Sequence, residues 1–113
     1  MKAIIIDDEF PARNVLHLLI KEHTPEIEVI AEAGSYETAL EVLQKTSPHI
    51  LFLDIDLGGH SGFDVLDTLG DRTSNFSIIF VTSYSEHAVK AFRYAAADYL
   101  LKPIIPEEAD QQH

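Results

Sequence analysis

The chain has 113 residues, 46% of them hydrophobic, and eight basic against nineteen acidic side chains give a net charge of −11. That length suits one domain with a core and is too short for two. The charge disfavours nucleic-acid backbones and anionic membranes as partners, and the lack of cysteine excludes disulfides, thiolate catalysis and cysteine-based zinc sites; an intracellular, cytoplasmic setting is expected.

From the N-terminus, Ala3 to Ile6 form an apolar run closed by Asp7, Asp8 and Glu9, too short for a secretory signal. It reads as a first strand. Val15, Leu16, Leu19 and Ile20 then recur at helical spacing. The run from Ile27 to Ala31 predicts a second strand, and Ala39, Leu40 and Leu43 a second helix. Ile50 to Leu53 predict a third strand, followed by a helix bearing Phe63, Val65, Leu66 and Leu69, with Gly70 as its stop. Ile78 to Val81 are a fourth strand, and Ala88, Ala91, Phe92 and Ala95 mark a fourth helix. Asp98 to Leu101 are the fifth strand. A fifth helix is expected to open at Pro106, with Glu107 and Glu108 in its first turn, but only eight residues remain for it, so it is read as truncated. A membrane span needs about 20 consecutive apolar residues, and no run approaches that.

Continuous apolar strands alternating with helices predict an α/β domain, a doubly wound five-stranded parallel sheet with right-handed crossovers. Ligands of such sheets lie at the carboxyl ends of the strands. Asp7 and Asp8 follow strand one, Asp54 ends strand three, Thr82 follows strand four and Lys102 follows strand five. Three carboxylates in one crevice repel one another unless a cation compensates. Mg²⁺ suits them, because it takes a few carboxylate or carbonyl oxygens and keeps other positions for water or phosphate. Lys102 and the Thr82 hydroxyl would then meet phosphoryl oxygens, and Asp54 is placed to act as a nucleophile toward phosphorus.

Each piece alone has a plainer explanation. Acids ahead of a helix complement its dipole, Thr82 suits an N-cap, Lys102 suits a solvated turn and Tyr99 an ordinary strand. The six histidines lack metal-pair spacing and read as surface or loop residues, with His60 notable for lying in the loop after Asp54. The conjunction at four strand ends, in order, is what those explanations do not supply.

With "DDEFPAR", "LFLDIDL" and "TSYSEHAVKAF" followed by "AAADYLLKPI", the chain resembles a response-regulator receiver domain of two-component signalling from Met1 to about Pro106. It is most similar to receivers of LytTR-type regulators. The resemblance implies a flavodoxin-like strand order of 2-1-3-4-5. It also implies Asp7 and Asp8 as the acidic Mg²⁺ pair, Asp54 as phosphoacceptor, and Asp56 as a metal ligand through its backbone carbonyl. Thr82 becomes the switch hydroxyl, Tyr99 the switch aromatic, and Lys102 the phosphoryl-binding lysine before Pro103, a candidate cis-proline. The implied donor is a sensor histidine kinase. The implied function is a signalling switch rather than an enzyme, relaying to a C-terminal, DNA-binding output domain that these residues do not include. A homodimer through helix four, strand five and helix five is expected, with Lys90, Arg93 and Tyr94 protruding from helix four, and no contact with nucleic acid or membrane through this domain.

Leu57-Gly58 departs from the Met-Pro or Leu-Pro usual in the family after the acceptor, which predicts a looser loop and weaker metal binding. The Asp56 side chain is expected at the mouth of the site. Two alternatives differ in class. Haloacid-dehalogenase-like phosphatases share a D-x-D strand end, but on the first strand of longer chains, whereas two βα units precede Asp54. An unphosphorylated receiver-like module is expected to lack an acid, the acceptor or the lysine, and all are present.

Overall fold

The computed structural model describes residues 1–104, so the fifth helix expected from Pro106 lies outside the described residues. Five strands, β1 (Lys2–Ile6), β2 (Glu28–Ala33), β3 (Ile50–Leu53), β4 (Ser77–Thr82) and β5 (Asp98–Leu101), form one parallel sheet in the order 2-1-3-4-5. Four helices connect them: α1 (Phe10–His23), α2 (Tyr36–Lys45), α3 (Gly62–Leu69) and α4 (Ala88–Arg93), with a 3-10 turn (Gly70–Asn75) between α3 and β4. Among the described residues no helix is long and apolar enough to cross a membrane.

Alternation along the strands explains the two cores. Ile4, Ile6, Leu51, Leu53, Ile78 and Phe80 pack with Ala39 and Leu43 of α2 and with Phe63, Val65, Leu66 and Leu69 of α3. Ala3, Ile5, Ile50, Phe52 and Val81 face the other way, onto Leu16 and Ile20 of α1. Both sheet faces are therefore apolar, which is why the strands read as unbroken hydrophobic runs.

Serines set the starts of two helices. Ser35 and Thr38 form a reciprocal capping box on α2, and Ser61 and Asp64 form another on α3.

The fourth helix differs from its predicted form. It ends at Arg93, and Ala95 adopts a left-handed φ of 58°, so Ala95 does not continue the helix. Ala91 is its buried residue, while Phe92 is 81% exposed instead of packing inward. Tyr94 turns inward rather than protruding: its ring lies 5.0 Å from Phe63 and its hydroxyl donates to Asp67 Oδ1 at 2.7 Å. Lys90 and Arg93 are exposed as expected, and the large apolar residues that α4 and β5 present outward beside them are Val89, Phe92 and Leu101.

Candidate functional site

The sheet register assembles the site. Ile6 pairs with Leu53, so Asp7 and Asp54 occupy the next rung together. Their backbones continue the ladder, with Asp54 N donating to Ile6 O at 2.9 Å and Asp7 N to Ala33 O at 3.0 Å. On the far side Thr82 pairs with Leu101, and Lys102 N donates to Thr82 O at 2.8 Å. Asp7, Asp54 and Lys102 all continue the alternation that faces α1, and this shared parity brings three remote side chains to one point.

They meet there as an ion cluster. Lys102 Nζ lies 2.7 Å from Asp7 Oδ2, 2.9 Å from Asp54 Oδ2 and 3.4 Å from Glu9 Oε1. Asp7 and Asp54 are each only 4% exposed. Burial pushes the Asp7 carboxyl above its ordinary range and the Asp54 charge adds to this, against hydrogen bonds from Lys102 and Glu9 N. Asp8 is raised by desolvation and then by the charges of Asp56, Asp54 and Glu9. For Lys102, burial alone favours the neutral amine, but the bonds to Asp7 and Asp54 outweigh it and the ammonium is held more firmly than usual.

Asp7, Asp8, Glu9 and Asp54 each offer an oxygen, and these atoms all lie within 4.8 Å of one another. Four carboxylates against the single Lys102 ammonium leave three negative charges uncompensated. An all-oxygen set with excess negative charge fits a hard divalent cation such as Mg²⁺. The cluster opens into a cleft of about 320 Å³ walled by Asp8, Glu9, Asp54, Asp56, Ser83 and Tyr84.

Thr82 is fully buried, and its Oγ1 accepts a long bond of 3.4 Å from Tyr84 N. Tyr99 is half-buried with its ring 6.1 Å from Phe80, and its hydroxyl donates to the Tyr84 carbonyl. The Lys102–Pro103 peptide is cis.

A model of the response regulator receiver domain matches residues 3–112. The chain belongs to the response regulator receiver family. The sensory transduction protein LytT of Bacillus anthracis is 41% identical over 98% of this chain and 45% of that protein. The sensory transduction protein LytR of Staphylococcus haemolyticus is 41% identical over 98% of this chain and 43% of its own length. The receiver domain thus spans somewhat less than half of these curated relatives. The response regulatory domain of mrkE from Klebsiella pneumoniae superposes with a TM-score of 0.85 at 32% identity, covering 98% of this chain and 90% of that one.

The loop after Asp54 differs from the loose loop predicted from Gly58. Asp56 Oδ1 accepts from Gly58 N at 3.0 Å, Leu57 N donates to His60 O at 2.9 Å, and Gly62 N to Ile55 O at 2.7 Å. Gly58 has a φ of 80°, which proline, fixed near −65°, cannot adopt. Glycine here permits a hydrogen-bonded turn rather than slackness. Asp56 is exposed beside the cleft, as expected, but its carboxylate also closes that turn.

Two residues of the site escaped sequence reasoning. A Cβ on Gly62 would lie 2.2 Å from the Asp54 carbonyl oxygen, so α3 can start this close to the end of β3 only with glycine there. Arg13 of α1 donates from Nη1 to the Asp7 carbonyl. Each contact runs from a strand end to the helix that follows it, and the only signals were a glycine at a helix start and the arginine of "DDEFPAR". His60, read as a loop residue, is half-exposed and stacks on Tyr36 with ring centroids 4.1 Å apart.

Proposed function

We propose that this receiver domain is a phosphorylation-dependent switch in which Asp54 accepts a phosphoryl group from a partner sensor histidine kinase, with Mg²⁺ as cofactor. The observation that carries this reading is the convergence of buried Asp7 and Asp54 on one lysine beside an acid-rich cleft. Asp7, Asp8, Asp54 and the Asp56 carbonyl would hold the ion, which when bound supplies charge neutralisation for the incoming phosphoryl oxygens.

The residues of the chain divide the remaining work. Asp54 Oδ2 is held by Lys102, whereas Oδ1 has only a 3.4 Å contact from Asp56 N and is the freer oxygen to attack. The new P–O bond forms as the P–N bond of the donor phosphohistidine breaks, and the leaving imidazole takes up a proton. The Lys102 ammonium, already charged and fixed, faces the added negative charge and stabilises it electrostatically. Thr82 exchanges its weak bond from Tyr84 N for one to a phosphoryl oxygen. Because the Tyr99 hydroxyl is bonded to the Tyr84 carbonyl, a shift of the 82–84 segment moves Tyr99 and the outer face of α4 and β5. Val89, Phe92 and Leu101 on that face then serve association with a second copy, and the longer relatives support an output domain beyond this chain.

The phosphatase alternative draws no support, since two βα units precede β3 and its Asp54, and the family match over residues 3–112 is to the receiver domain. Mass spectrometry after exposure to acetyl phosphate and Mg²⁺ tests the reading. A single phosphoryl group is expected, absent in Asp54→Asn. A mass shift that persists in that variant moves the acceptor elsewhere.

A further inference from the structure

The arginine of "DDEFPAR" touches the site only through the Asp7 backbone, yet its guanidinium is closely surrounded. Nη1 donates to the Asp7 carbonyl. Glu32 Oε1 of β2 lies 3.3 Å from Nε, and Nε is buried without an aligned hydrogen bond, so that contact is an ion pair rather than a directed bond. The other Glu32 oxygen is 3.0 Å from His17 Nδ1. The Phe10 ring stands 5.5 Å from Cζ. Gly34, just past β2, leaves room on the remaining side, where a Cβ would come within 3.0 Å of Nη1.

The atom that Arg13 grips explains what this does. The Asp7 carbonyl oxygen lies in the peptide plane joining Asp7 to Asp8, so fixing it sets ψ of Asp7 and φ of Asp8 together. Those angles decide the direction in which the Asp8 carboxylate leaves the backbone. Asp8 has the weakest reasons of its own to stay there: it is exposed and repelled by Asp56, Asp54 and Glu9. Asp7, by contrast, is anchored through its side chain by Lys102 and Glu9 N.

We propose that Arg13 is a positioning residue for the acidic pair, a brace between β2 and the Asp7–Asp8 peptide that holds the Asp8 carboxylate over the cation site. This rests on the Mg²⁺ reading above. It also explains the residue type. A planar fork can span the Asp7 carbonyl and Glu32 at once, whereas a lysine ammonium supplies the charge at one point only.

The test is Mg²⁺ affinity by calorimetry, well below the melting temperature, on the wild type, Arg13→Met, Arg13→Lys, Glu32→Gln and Gly34→Ala. Losing an outer partner of a metal ligand typically weakens binding about tenfold or more. Arg13→Met is expected to show such a loss and Arg13→Lys to recover little of it. Glu32→Gln and Gly34→Ala, which slacken or push the guanidinium, are expected to fall between Arg13→Met and wild type. In acetyl phosphate labelling the Arg13→Met defect should lie in the Mg²⁺ concentration required and vanish at saturation. A lowered melting temperature with unchanged Mg²⁺ affinity, or full rescue by lysine, makes Arg13 a fold-stabilising cation only and overturns the proposal. If Arg13→Met does not fold, Glu32→Gln and Gly34→Ala decide, and unchanged affinity in both overturns it. Absence of Mg²⁺ binding by the wild type is a different failure, and removes the cation reading itself.

Discussion

At the amino rim of the sheet, Lys2, Glu28, Ser77 and Asp98 open their strands in water, all exposed. At the carboxyl rim, Asp7, Asp54 and Thr82 are the buried polar residues among those described. Both rims are polar, but the energetic meaning differs. A hydrated side chain at a strand start can be exchanged with little consequence, whereas a buried carboxylate is tolerated only when paired. Polar residues that carry an energetic cost at one rim and none at the other mark where the chain has been shaped for something besides folding.

The sharpest way to break that comparison is to remove a cation from each rim. Lys102→Met strips the shared partner from two buried carboxylates, and removing one side of a buried pair costs about 3–5 kcal/mol. Chemical denaturation in metal-free buffer is expected to show a loss of that order, with Mg²⁺ restoring part of it. Lys2→Met should stay within about 0.5 kcal/mol, as surface substitutions do. Equal losses at the two rims would remove the distinction.

Gly59 and Gly62, which follow Asp54, show the same contrast in the backbone. Gly62→Ala forces a Cβ to 2.2 Å from the Asp54 carbonyl, a backbone atom that cannot swing aside. Overpacking of this kind costs about 1–3 kcal/mol, and Asp54 phosphorylation should slow with it. Gly59→Ala, which meets nothing within 4 Å, should change neither. Matched behaviour of the two variants would mean that α3 adjusts freely and does not press on Asp54.

Acidification separates the rims more gently. Asp7 and Asp8 bind protons more tightly folded than at the ordinary value of 3.8. The folded state therefore holds the extra protons between that value and the raised ones, and their contribution to stability falls as pH rises through this window. Lys102 acts oppositely in charge but far away in pH: its contribution is intact below 10.5 and is lost only at higher, alkaline pH. In metal-free buffer Asp8→Asn should thus melt slightly above wild type at neutral pH, and the advantage should vanish as pH falls to 3.8. With Mg²⁺ the order is expected to reverse at neutral pH, because the variant lacks one of the proposed ligands and gains less from the ion. A wild-type advantage in metal-free buffer would contradict the repulsion at Asp8.

The five strands were legible in the sequence because both sheet faces are covered and each strand is an apolar run; β3 and β5 have the predicted bounds. The polar residues at their carboxyl ends were legible for the same reason, since a charge stands out where such a run stops. Helix four was legible in its place and in the burial of Ala91 but not in its extent or its outer face, because its six residues carry Phe92 outward for the surface and not for the core. Arg13 and Gly62 were illegible for a different cause. Their roles are distances to Asp7 and Asp54, and spacing along the chain does not encode how closely two segments approach. Gly58 misled in its direction, because the sequence shows that a glycine is freer than a proline but not that its backbone must sit at a φ of 80°.

The smallest expected effect belongs to Asp56, and it sharpens the comparison most finely because this side chain has one foot in each category. It is exposed like the residues of the amino rim, yet its charge reaches Asp8 and its Oδ1 closes the turn at Gly58 with a 3.0 Å bond. Asn and Ala separate the two contributions. Asp56→Asn keeps the acceptor oxygen and deletes the charge, whereas Asp56→Ala deletes both. Two unit charges 4 Å apart interact by about 1 kcal/mol in water, so an exposed carboxylate can alter Mg²⁺ affinity by no more than several-fold. Asp56→Asn is therefore expected to weaken Mg²⁺ binding a few-fold, with greater effect at low salt, and to leave the melting temperature of the metal-free protein equal or slightly raised. Its phosphorylated form should also last modestly longer, because a carboxylate beside the cleft can orient a hydrolytic water. Asp56→Ala should add a stability loss of about 1 kcal/mol from the missing hydrogen bond, and a further fall in metal affinity as the Asp56 carbonyl loses its fixed position. If Asn and Ala behave alike in Mg²⁺ affinity, the turn contributes nothing to the site. If Asn matches wild type at every salt concentration, the carboxylate acts through its turn alone and its charge belongs with the indifferent charges of the amino rim.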